Sequence, residues 1–408
     1  MAIKYLSKSV VKNKTVLVRG SVDAPVGDNG KISDDFRLCS FLPTIKYLLA
    51  NGNKVIVCGK RGRAKGKVVS ELSLKPAAEC LADLLGFKFV ETDFKVPDYQ
   101  IPHLIFYRGD FRNEKHQEQL SMVPHKDVIF LENLEFFEGE LSDDAVFAKK
   151  LAGFADIYVD DDFSKAHHPV ASNVGVTKKL PSYCGLLLEQ EIKSLDLILK
   201  KVEHPFVVMT GGIKLSEKVG ALQNLGKQAD KILVAGGVAN LLFKTKGYEI
   251  GFSKIEEGET KIAFEISKNF KDKLVLPLDV VVADKNLDKS SIRAVEPFKV
   301  TKDEQMLDIG PKTILEFAKI IKTAKTIVWS GPLGLFEKKP FDTGTMALAR
   351  LLGGRGKGIA FVVAGGGDTV DAIRQAHQFE HFDHVSTGGG AMLEYLAGKK
   401  LPGIEALK

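Results

Sequence analysis

The chain has 408 residues, of which 44% are hydrophobic and 27% charged, and its formal net charge is +6. These values are typical of a globular protein, and the length predicts two or three domains, or two large ones. No apolar run approaches the roughly 18–20 residues of a membrane span, and the N-terminus has no apolar signal-peptide region. The four cysteines are widely spaced, which favours reduced thiols. We expect a cytoplasmic monomer that binds anionic small molecules, with no membrane or nucleic-acid partner.

Short apolar runs in the first half of the chain predict buried strands. These runs are Thr15–Arg19, Lys54–Cys58, Val128–Leu131 and Ile157–Val159. Apolar residues at helical spacing predict the helices Leu38–Ala50, Leu74–Leu85 and Asp144–Phe154. Strands that alternate with helices indicate right-handed βαβ units and a parallel sheet. The polar segment Phe94–His125 has no predicted function.

The second half begins with a predicted long helix, Pro181–Lys201, and a second α/β run follows it. The predicted strands of this run are Phe206–Met209, Ile232–Ala235, Leu274–Leu276, Val280–Ala283, Thr326–Trp329 and Ile359–Ala364. The pattern therefore predicts two α/β domains joined by a helix. Ligands of such sheets bind beyond the carboxyl ends of the strands.

Glycine turns follow several of these strands. Gly211-Gly212, Gly236-Gly237 and Gly365–Gly367 each leave an apolar run, and further turns occur at Gly331 and Gly388. A turn from a strand into a helix gathers backbone N–H groups at a helix N-terminus, where a phosphate binds well. A single turn of this kind is weak evidence, but several in one domain indicate a nucleotide-phosphate site.

Charged residues accompany these turns. Lys214 and Lys218 are four residues apart, so they share one face if a helix begins there. Two ammonium groups beside a glycine turn suit a polyphosphate. Asp368 adds a carboxylate where a phosphate-bound Mg²⁺ would sit. The chain has neither a GxxxxGK[ST] loop nor an H-R-D catalytic loop, so a P-loop enzyme and a protein kinase are not indicated.

Motifs throughout the chain resemble those of the phosphoglycerate kinase family. In the second half they are GGIKLSEKVGALQNL, LPLDVVVAD, LDIGPKT, VWSGPLGLFE, AGGGDT and STGGGAMLEYLAGKKLPG. In the first half the family's substrate motifs stand at VLVRGSVDAPV, DDFRLCSFLPTIKYLL, GRAKGK, IFLENLEFFEGE and DDFSKAHHPVAS. The resemblance covers essentially the whole chain, and it is stronger in the second half.

The resemblance implies an α/β fold of two doubly wound, Rossmann-like parallel-sheet domains joined by a hinge helix. Residues 1–184 would form the substrate domain, 185–201 the interdomain helix and 202–390 the nucleotide-binding domain, and 391–408 would return to the first domain. The implied reaction is reversible phosphoryl transfer between 1,3-bisphosphoglycerate and MgADP, which gives 3-phosphoglycerate and ATP. Its partners would be the acyl phosphate or carboxylate and an adenine nucleotide, with Mg²⁺ as cofactor.

On the nucleotide side, the resemblance implies a set of binding residues. The set is Lys214, Lys218, Gly237, Ser330, Pro332, Glu337, Gly365, Gly366, Gly367, Asp368 and Thr369. Asp368 would hold Mg²⁺. Lys214 and the backbone N–H groups of Gly366 and Gly388 would stabilise the moving phosphoryl group, because helix N-termini face the developing charge.

On the acid side, the chain departs from the family. The corresponding residues are Ser21, Asp23, Arg37, Lys60, Arg63, Glu135 and His168. Arg37, the family's catalytic arginine, and Arg63 are kept, whereas Lys60 replaces a histidine. Glu135 and His168 stand where the family has arginines, so two cations that clamp the triose phosphate are missing. Ser21 and Asp23 replace an aspartate and an asparagine.

These departures leave three interpretations open. The chain is a divergent phosphoglycerate kinase in which Lys60, Arg61, Lys65 or Lys165 replaces the missing cations. Alternatively, it phosphorylates another small carboxylate with a less anionic tail, or it is a nucleotide-binding regulatory protein without catalysis. The acidic run 160–162 is predicted to cap a helix or turn and to pair with Lys165.

Overall fold

The computed structural model describes residues 2–92, 101–113, 118 and 120–408. The chain divides into two compact units. Unit 1 comprises Met1–Ile192 together with Lys400–Lys408, and unit 2 comprises Lys193–Lys399. Of the helices in the described parts of the chain, none combines the length and the apolar character of a membrane span.

Unit 1 is built on a seven-stranded parallel sheet. Its strands are β1 (Thr15–Gly20), β2 (Lys54–Cys58), β3 (Lys88–Thr92), β4 (His103–Tyr107), β5 (Val128–Leu131), β6 (Ile157–Asp161) and β7 (Ser182–Cys184). They lie in the order β3-β4-β5-β2-β1-β6-β7. The central strands are buried along their whole length, which explains why they read as continuous apolar runs. The carboxyl ends of β1, β2, β5 and β6 consequently meet at one edge.

Helices flank this sheet. They are α1 (Phe36–Ala50), α2 (Lys75–Leu85), α3 (Glu138–Leu141) and α4 (Ala145–Ala152). The helix α5 (Leu186–Lys200) contains the boundary between the two units. The prediction of a helix from Pro181 is wrong at its start, because Ser182–Cys184 pairs with β6 as an edge strand. The polar segment Phe94–His125 lies partly outside the described residues, and its described part contains β4.

Unit 2 has a six-stranded parallel sheet of order β10-β9-β8-β14-β15-β16. Its strands are β8 (Phe206–Thr210), β9 (Lys231–Val234), β10 (Leu274–Val275), β14 (Thr326–Ser330), β15 (Phe361–Gly365) and β16 (His384–Ser386). A separate antiparallel sheet contains β11 (Val280–Asp284), β12 (Arg293–Val295) and β13 (Glu304–Ile309). The predicted strand Val280–Ala283 therefore exists, but it lies outside the parallel sheet.

The helices of unit 2 connect the parallel strands. They are α6 (Val219–Gln228), α7 (Gly236–Thr245), α8 (Thr260–Asn269), α9 (Pro311–Thr323), α10 (Thr343–Gly353), α11 (Gly367–Gln375) and α12 (Gly389–Leu396). The core between sheet and helices includes Trp329, Phe317 and Ile327, all fully buried. Both sheet-and-helix units agree with the predicted doubly wound fold.

The last residues of the chain pack in unit 1. The helix α13 (Pro402–Glu405) follows Lys400, and the Gly403 N–H donates to the Ala166 carbonyl at 2.9 Å. Leu401, Ile404 and Leu407 are buried. The packing-based division thus places the return to unit 1 at Lys400, nine residues after the predicted 391, and extends the first segment to Ile192. The functional names given to these domains stay predictions.

Candidate active site

The glycine turns of unit 2 lie together at the carboxyl edge of its parallel sheet. They follow β9, β8, β14, β15 and β16, which are five neighbouring strands. The Gly211 N–H donates to the Ser330 carbonyl at 3.0 Å, and the Gly212 N–H donates to the Pro332 carbonyl at 2.7 Å. The Val238 N–H in turn donates to the Gly212 carbonyl at 3.1 Å. These hydrogen bonds join the turns after β8, β9 and β14 into one continuous backbone surface, the floor of the site.

Close approach of the backbones requires glycine in this floor. A Cβ on Gly211 would overlap the Pro332 carbonyl oxygen, and a Cβ on Gly331 would overlap the Gly211 carbonyl oxygen. Gly331 also has a φ of +94°, which side-chain-bearing residues rarely adopt. Because glycines occupy these positions, peptide groups and not side chains form the surface at the strand ends.

Two helices begin side by side at this floor. Gly366 precedes α11 with a φ of +104°, and Gly388 precedes α12. A Cβ on Gly389 would lie 3.9 Å from the Gly366 Cα, so the two N-termini are neighbours. The first N–H groups of a helix have no partner inside it and carry partial positive charge, which favours an anion. The Gly388 N–H already donates to Ser386 Oγ at 3.1 Å.

A pocket of about 560 Å³ opens above the turns. The predicted nucleotide residues that line it are Lys214, Lys218, Gly237, Pro332, Glu337 and Asp368. The remaining predicted nucleotide residues, Ser330, Gly365, Gly366, Gly367 and Thr369, lie outside its lining. Thr369 supports the floor, because its Oγ1 accepts from the Gly331 N–H at 2.7 Å.

Lys218 is the buried cation of this pocket. Its side chain is 9% exposed, and a Cβ on Gly212 would lie 3.6 Å from its Nζ. Burial lowers the pKa of Lys218, whereas the carboxylates of Glu217 and Asp368 act in the opposite direction. An ammonium held among backbone groups and partly stripped of water interacts strongly with a phosphate.

Lys214 differs from Lys218 in its surroundings. It is exposed, and its Nζ donates to Glu217 Oε1 at 2.9 Å. The helix α6 begins only at Val219, and Lys218 Nζ donates to the Lys214 carbonyl at 3.3 Å. The expectation that the two lysines share a helix face is therefore wrong, because both precede the helix.

Several residues that line the pocket were not predicted from the sequence. They are Asn240, Lys254, Lys285, Gln305 and Asp308. Asp308 accepts from the Ile309 N–H at 2.8 Å and the Gly344 N–H at 2.7 Å, and its burial raises its pKa to about 7. Asp308 stands in the motif LDIGPKT, which was the available signal. Neither Lys254 nor Lys285 belongs to a glycine turn at the end of a strand of the parallel sheet, so the local sequence gave no indication of them.

A second group of polar residues lies in unit 1 at the carboxyl edge of its sheet. Asp23 follows β1, Lys60 follows β2 and Glu135 follows β5. Arg37, in the first turn of α1, donates from Nη1 to the Asp23 carbonyl at 2.9 Å. Asp23 Oδ1 accepts from the Gly62 N–H at 3.1 Å. Four of the predicted acid-substrate residues are therefore neighbours.

Lys60 is the centre of this group. It is 6% exposed, and its Nζ forms ion pairs with Asp23 Oδ2 at 3.3 Å and Glu135 Oε1 at 3.7 Å. Glu135 Oε2 also accepts from the Ala64 N–H at 2.7 Å. Glu135 therefore pairs with a cation and fastens the loop after β2.

The other predicted acid-substrate residues are more peripheral to this network. Ser21 is 1% exposed, and its Oγ has no hydrogen-bond partner among the described residues. Arg63 and His168 are exposed. The His168 ring lies against that of His167, with 4.0 Å between their centroids.

Comparisons with known proteins agree with this architecture. The family model described as phosphoglycerate kinase matches residues 6–399. A phosphoglycerate kinase from Desulforapulum autotrophicum is 39% identical over 99% of this chain and 100% of its own length. The cytosolic phosphoglycerate kinase 3 of Arabidopsis thaliana is 38% identical over 100% of this chain and 98% of its own.

Comparison with solved structures also finds phosphoglycerate kinases. The phosphoglycerate kinase structure from Coxiella burnetii is 33% identical, with a TM-score of 0.82 over 100% of this chain and 99% of the other. The phosphoglycerate kinase structure from Pyrococcus horikoshii has a TM-score of 0.83 at 29% identity, over 99% of this chain and 98% of the other. The glycine turns, the two α/β units and these relatives together show that the chain belongs to the phosphoglycerate kinase family.

Proposed function

We propose that this protein catalyses reversible phosphoryl transfer between 1,3-bisphosphoglycerate and ADP, producing 3-phosphoglycerate and ATP in glycolysis. The observation that carries the proposal is the pocket of unit 2, where glycine turns from neighbouring strands meet the Lys218 amine and the Asp368 carboxylate. Family membership over nearly the whole chain supports the same reaction. The kinase of another small carboxylate and the non-catalytic regulator have no observation in their favour.

The nucleotide binds in this pocket with its phosphates towards the glycine turns. The Gly237 amide and Asp368 at the start of α11 line the pocket, and the N-terminus of α12 lies beside that of α11. We expect these amides to bind the phosphate oxygens, with Lys218 supplying a buried positive charge. Glu337 lines the same pocket and is exposed, so its carboxylate is available for the hydroxyl groups of a ribose.

Magnesium fits this donor set. Among the described residues, no cluster of three His, Cys, Asp or Glu side chains is arranged to hold a metal ion alone. Mg²⁺ in kinases is commonly held by one or two carboxylates together with substrate phosphates, and Asp368 supplies such a carboxylate. The ion would neutralise charge on the phosphates when bound. Asp368 is exposed at the lining of the pocket, which leaves it free to meet a phosphate-bound ion.

The protein contributes positioning and charge to the chemistry, because phosphoryl transfer requires little covalent assistance. Lys214 is exposed and its Nζ donates to Glu217 Oε1 at 2.9 Å, so its ammonium can exchange this carboxylate for the phosphoryl group. The amides at Gly366 and Gly388 stabilise the developing negative charge. For the Gly388 amide, this role requires it to release Ser386 Oγ.

Unit 1 binds the acid. Arg37 and Arg63 supply the guanidinium groups that match carboxylate and phosphate oxygens. Lys60 contributes a third cation, although Asp23 and Glu135 already offset its charge. We further propose that the protein works as a monomer, which light scattering after gel filtration measures. A cytoplasmic location stays a prediction from the sequence.

The direct test is turnover by the purified protein. We expect ADP and 1,3-bisphosphoglycerate to yield ATP, and the reverse reaction to consume 3-phosphoglycerate and ATP, both with a requirement for Mg²⁺. ATP binding without turnover of either substrate would contradict the proposal. Turnover of an unphosphorylated acid at a higher kcat/KM than 3-phosphoglycerate would instead assign the protein to a different carboxylate.

A further inference from the structure

Lys165 lies beside the acid-binding group, and the sequence offers it only as one of four possible replacements for the missing cations. It ends the single-turn helix Phe163–Lys165, which follows β6. The strand β6 pairs with β1, and β1 pairs with β2, after which Lys60 stands. The sheet order therefore brings residues 60 and 165 to either side of β1, although 105 positions separate them in the chain.

The Lys165 side chain interacts with that of Lys60 at this edge of the sheet. Burial lowers the pKa of Lys165 to about 8, and repulsion from Lys60 and a hydrogen bond with it act in the same direction. Asp162 and Asp23 act against this shift. Two lysine side chains placed side by side repel each other, because both are normally ammonium groups at neutral pH.

The nearby carboxylates are engaged elsewhere. Asp162 forms an ion pair with Arg19 at 3.4 Å and accepts from Ser164 Oγ at 2.6 Å. Asp23 and Glu135 pair with Lys60. Within the described part of the chain, no carboxylate forms an ion pair with Lys165. The predicted pairing of Lys165 with the acidic run is therefore wrong, because Arg19 binds Asp162 instead.

The charges of this group decide how well it binds a phosphate. Asp23 and Glu135 contribute two negative charges, and Lys60 and Arg37 contribute two positive charges, so these four residues have no net charge. A protonated Lys165 gives the group a net positive charge and places two neighbouring ammonium groups where a dianion relieves their mutual repulsion. Without Lys165, the group would offer the phosphate no net positive charge.

We propose that Lys165 is a specificity-determining residue which, together with Lys60, binds the phosphate tail of the acid substrate. This inference rests on the proposed function and names the residue by which the site tolerates Glu135. It makes a phosphorylated acid the preferred substrate class. A neutral hydroxyl group in the same place would not reduce the repulsion between the two ammonium groups. Lys165 acts on binding of the tail, remote from the transferred phosphoryl group.

The test compares steady-state kinetics of the wild type with Lys165→Ala, Lys165→Met and Lys165→Arg. We expect the Ala and Met variants to raise KM for 3-phosphoglycerate at least tenfold, with kcat within about threefold and KM for ATP unchanged. Lys165→Arg should restore most of the affinity. The Met variant preserves side-chain bulk and carries the test if the Ala variant does not fold. Lys12→Ala, which removes an exposed lysine of unit 1, is the matched control.

Glycerate separates tail binding from a general defect, because it has the same carboxyl end without the phosphate. We expect its inhibition constant against 3-phosphoglycerate to be the same in the wild type and in Lys165→Met. An unchanged KM for 3-phosphoglycerate in both neutral variants would overturn the inference. An equal loss of glycerate and 3-phosphoglycerate binding would also overturn it, since Lys165 would then act on the whole site.

Binding without turnover distinguishes this inference from the proposed function. If the wild type does not turn over 3-phosphoglycerate, the proposed function fails. Calorimetric titration with 3-phosphoglycerate then decides the role of Lys165. At least tenfold weaker binding by Lys165→Met supports that role. Equal affinity, or no measurable binding by the wild type, overturns it.

Discussion

At the scale of single residues, the acid site combines charges of opposite sign in a small space. Glu135 is 8% exposed and lies 3.7 Å from Lys60 Nζ. A carboxylate about 4 Å from a phosphate costs roughly 4 kcal/mol at an effective dielectric constant of 20. Lys60 offsets part of this cost, and the Ala64 N–H fixes the second carboxylate oxygen.

The change Glu135→Gln should lower KM for 3-phosphoglycerate several-fold. The amide oxygen can still accept from the Ala64 N–H, whereas the negative charge beside the substrate is removed. Steady-state kinetics in the direction of ATP consumption measures the effect. Glu138→Gln, an exposed neighbour, serves as the control. A higher KM would show that the charge of Glu135 holds Lys60 in its binding position.

The change Lys218→Ala should weaken ATP binding at least tenfold, equivalent to about 1.4 kcal/mol. The buried ammonium beside Gly212 is lost, and the fold is retained because Lys218 precedes α6. Calorimetry with MgATP measures the affinity and circular dichroism checks the fold. Lys227→Ala on the exposed face of α6 is the control. An unchanged dissociation constant would remove Lys218 from the nucleotide site.

At the scale of elements, the phosphate site consists of strand ends and helix beginnings. Each glycine turn is encoded locally, so the sequence alone predicted the strand, the turn and the start of α11. The ion pair of Lys60 with Glu135 and the proximity of Lys60 to Lys165 could not be predicted from sequence spacing. Both depend on the order of the strands in the sheet. The strands β12 and β13 were missed for a different reason, since they are only partly buried and contain no continuous apolar run.

The change Gly366→Ala should impair both stability and ATP binding. Gly366 has a φ of +104°, so a side chain adds backbone strain of about 1–3 kcal/mol and tilts the first amides of α11. Urea unfolding and MgATP titration measure the two effects. Gly86→Ala, at the end of α2 with a φ of +70° and open space around it, should destabilise unit 1 without altering ATP affinity. Equal ATP affinity in Gly366→Ala and the wild type would exclude this helix start from the phosphate site.

The acids of β6 make stability depend on pH. Burial raises the pKa of Asp160 to about 8 and that of Asp161 to about 7. Unfolded aspartate titrates near 4, so the folded state favours the protonated form of each group. Their contribution to the unfolding free energy is fully present below pH 4 and is lost as the pH rises through about 7 to 8.

The change Asp161→Asn should therefore stabilise the protein relative to the wild type increasingly as the pH rises from 5 to 8. An asparagine oxygen can still accept from the Leu188 N–H, which Asp161 Oδ1 binds at 3.0 Å. Urea unfolding followed by circular dichroism at pH 5, 6.5 and 8 gives the difference. The exposed Asp83→Asn on α2 should show no such trend. A constant difference across this range would mean that Asp161 is ionised throughout.

At the scale of the whole molecule, each unit has its own core and its own group of polar residues at a sheet edge. The only tryptophan, Trp329, is fully buried in β14 of unit 2, where its Nε1 donates to the Gly331 carbonyl at 2.8 Å. Its fluorescence therefore reports on the nucleotide unit. Proteins of two domains often unfold in more than one step, so one probe does not describe both units.

ATP should raise the denaturant midpoint of the Trp329 fluorescence transition. A ligand at 100 times its dissociation constant stabilises the state that binds it by about 2.7 kcal/mol. Parallel fluorescence and far-ultraviolet circular dichroism curves, with and without MgATP, measure the shift. Lys218→Ala should abolish most of it. No shift in the wild type under saturating MgATP would contradict a nucleotide site in unit 2.

The return of residues 400–408 to unit 1 has a consequence for synthesis in the cell. A domain translated first usually folds first as the ribosome advances. Here Leu401, Ile404 and Leu407 leave the ribosome after every residue of unit 2, so the first-translated unit is the last to receive its full set of core contacts. During that interval the surface of unit 1 that these three side chains cover in the folded protein stays exposed, and we expect chaperones to bind the nascent chain at this stage.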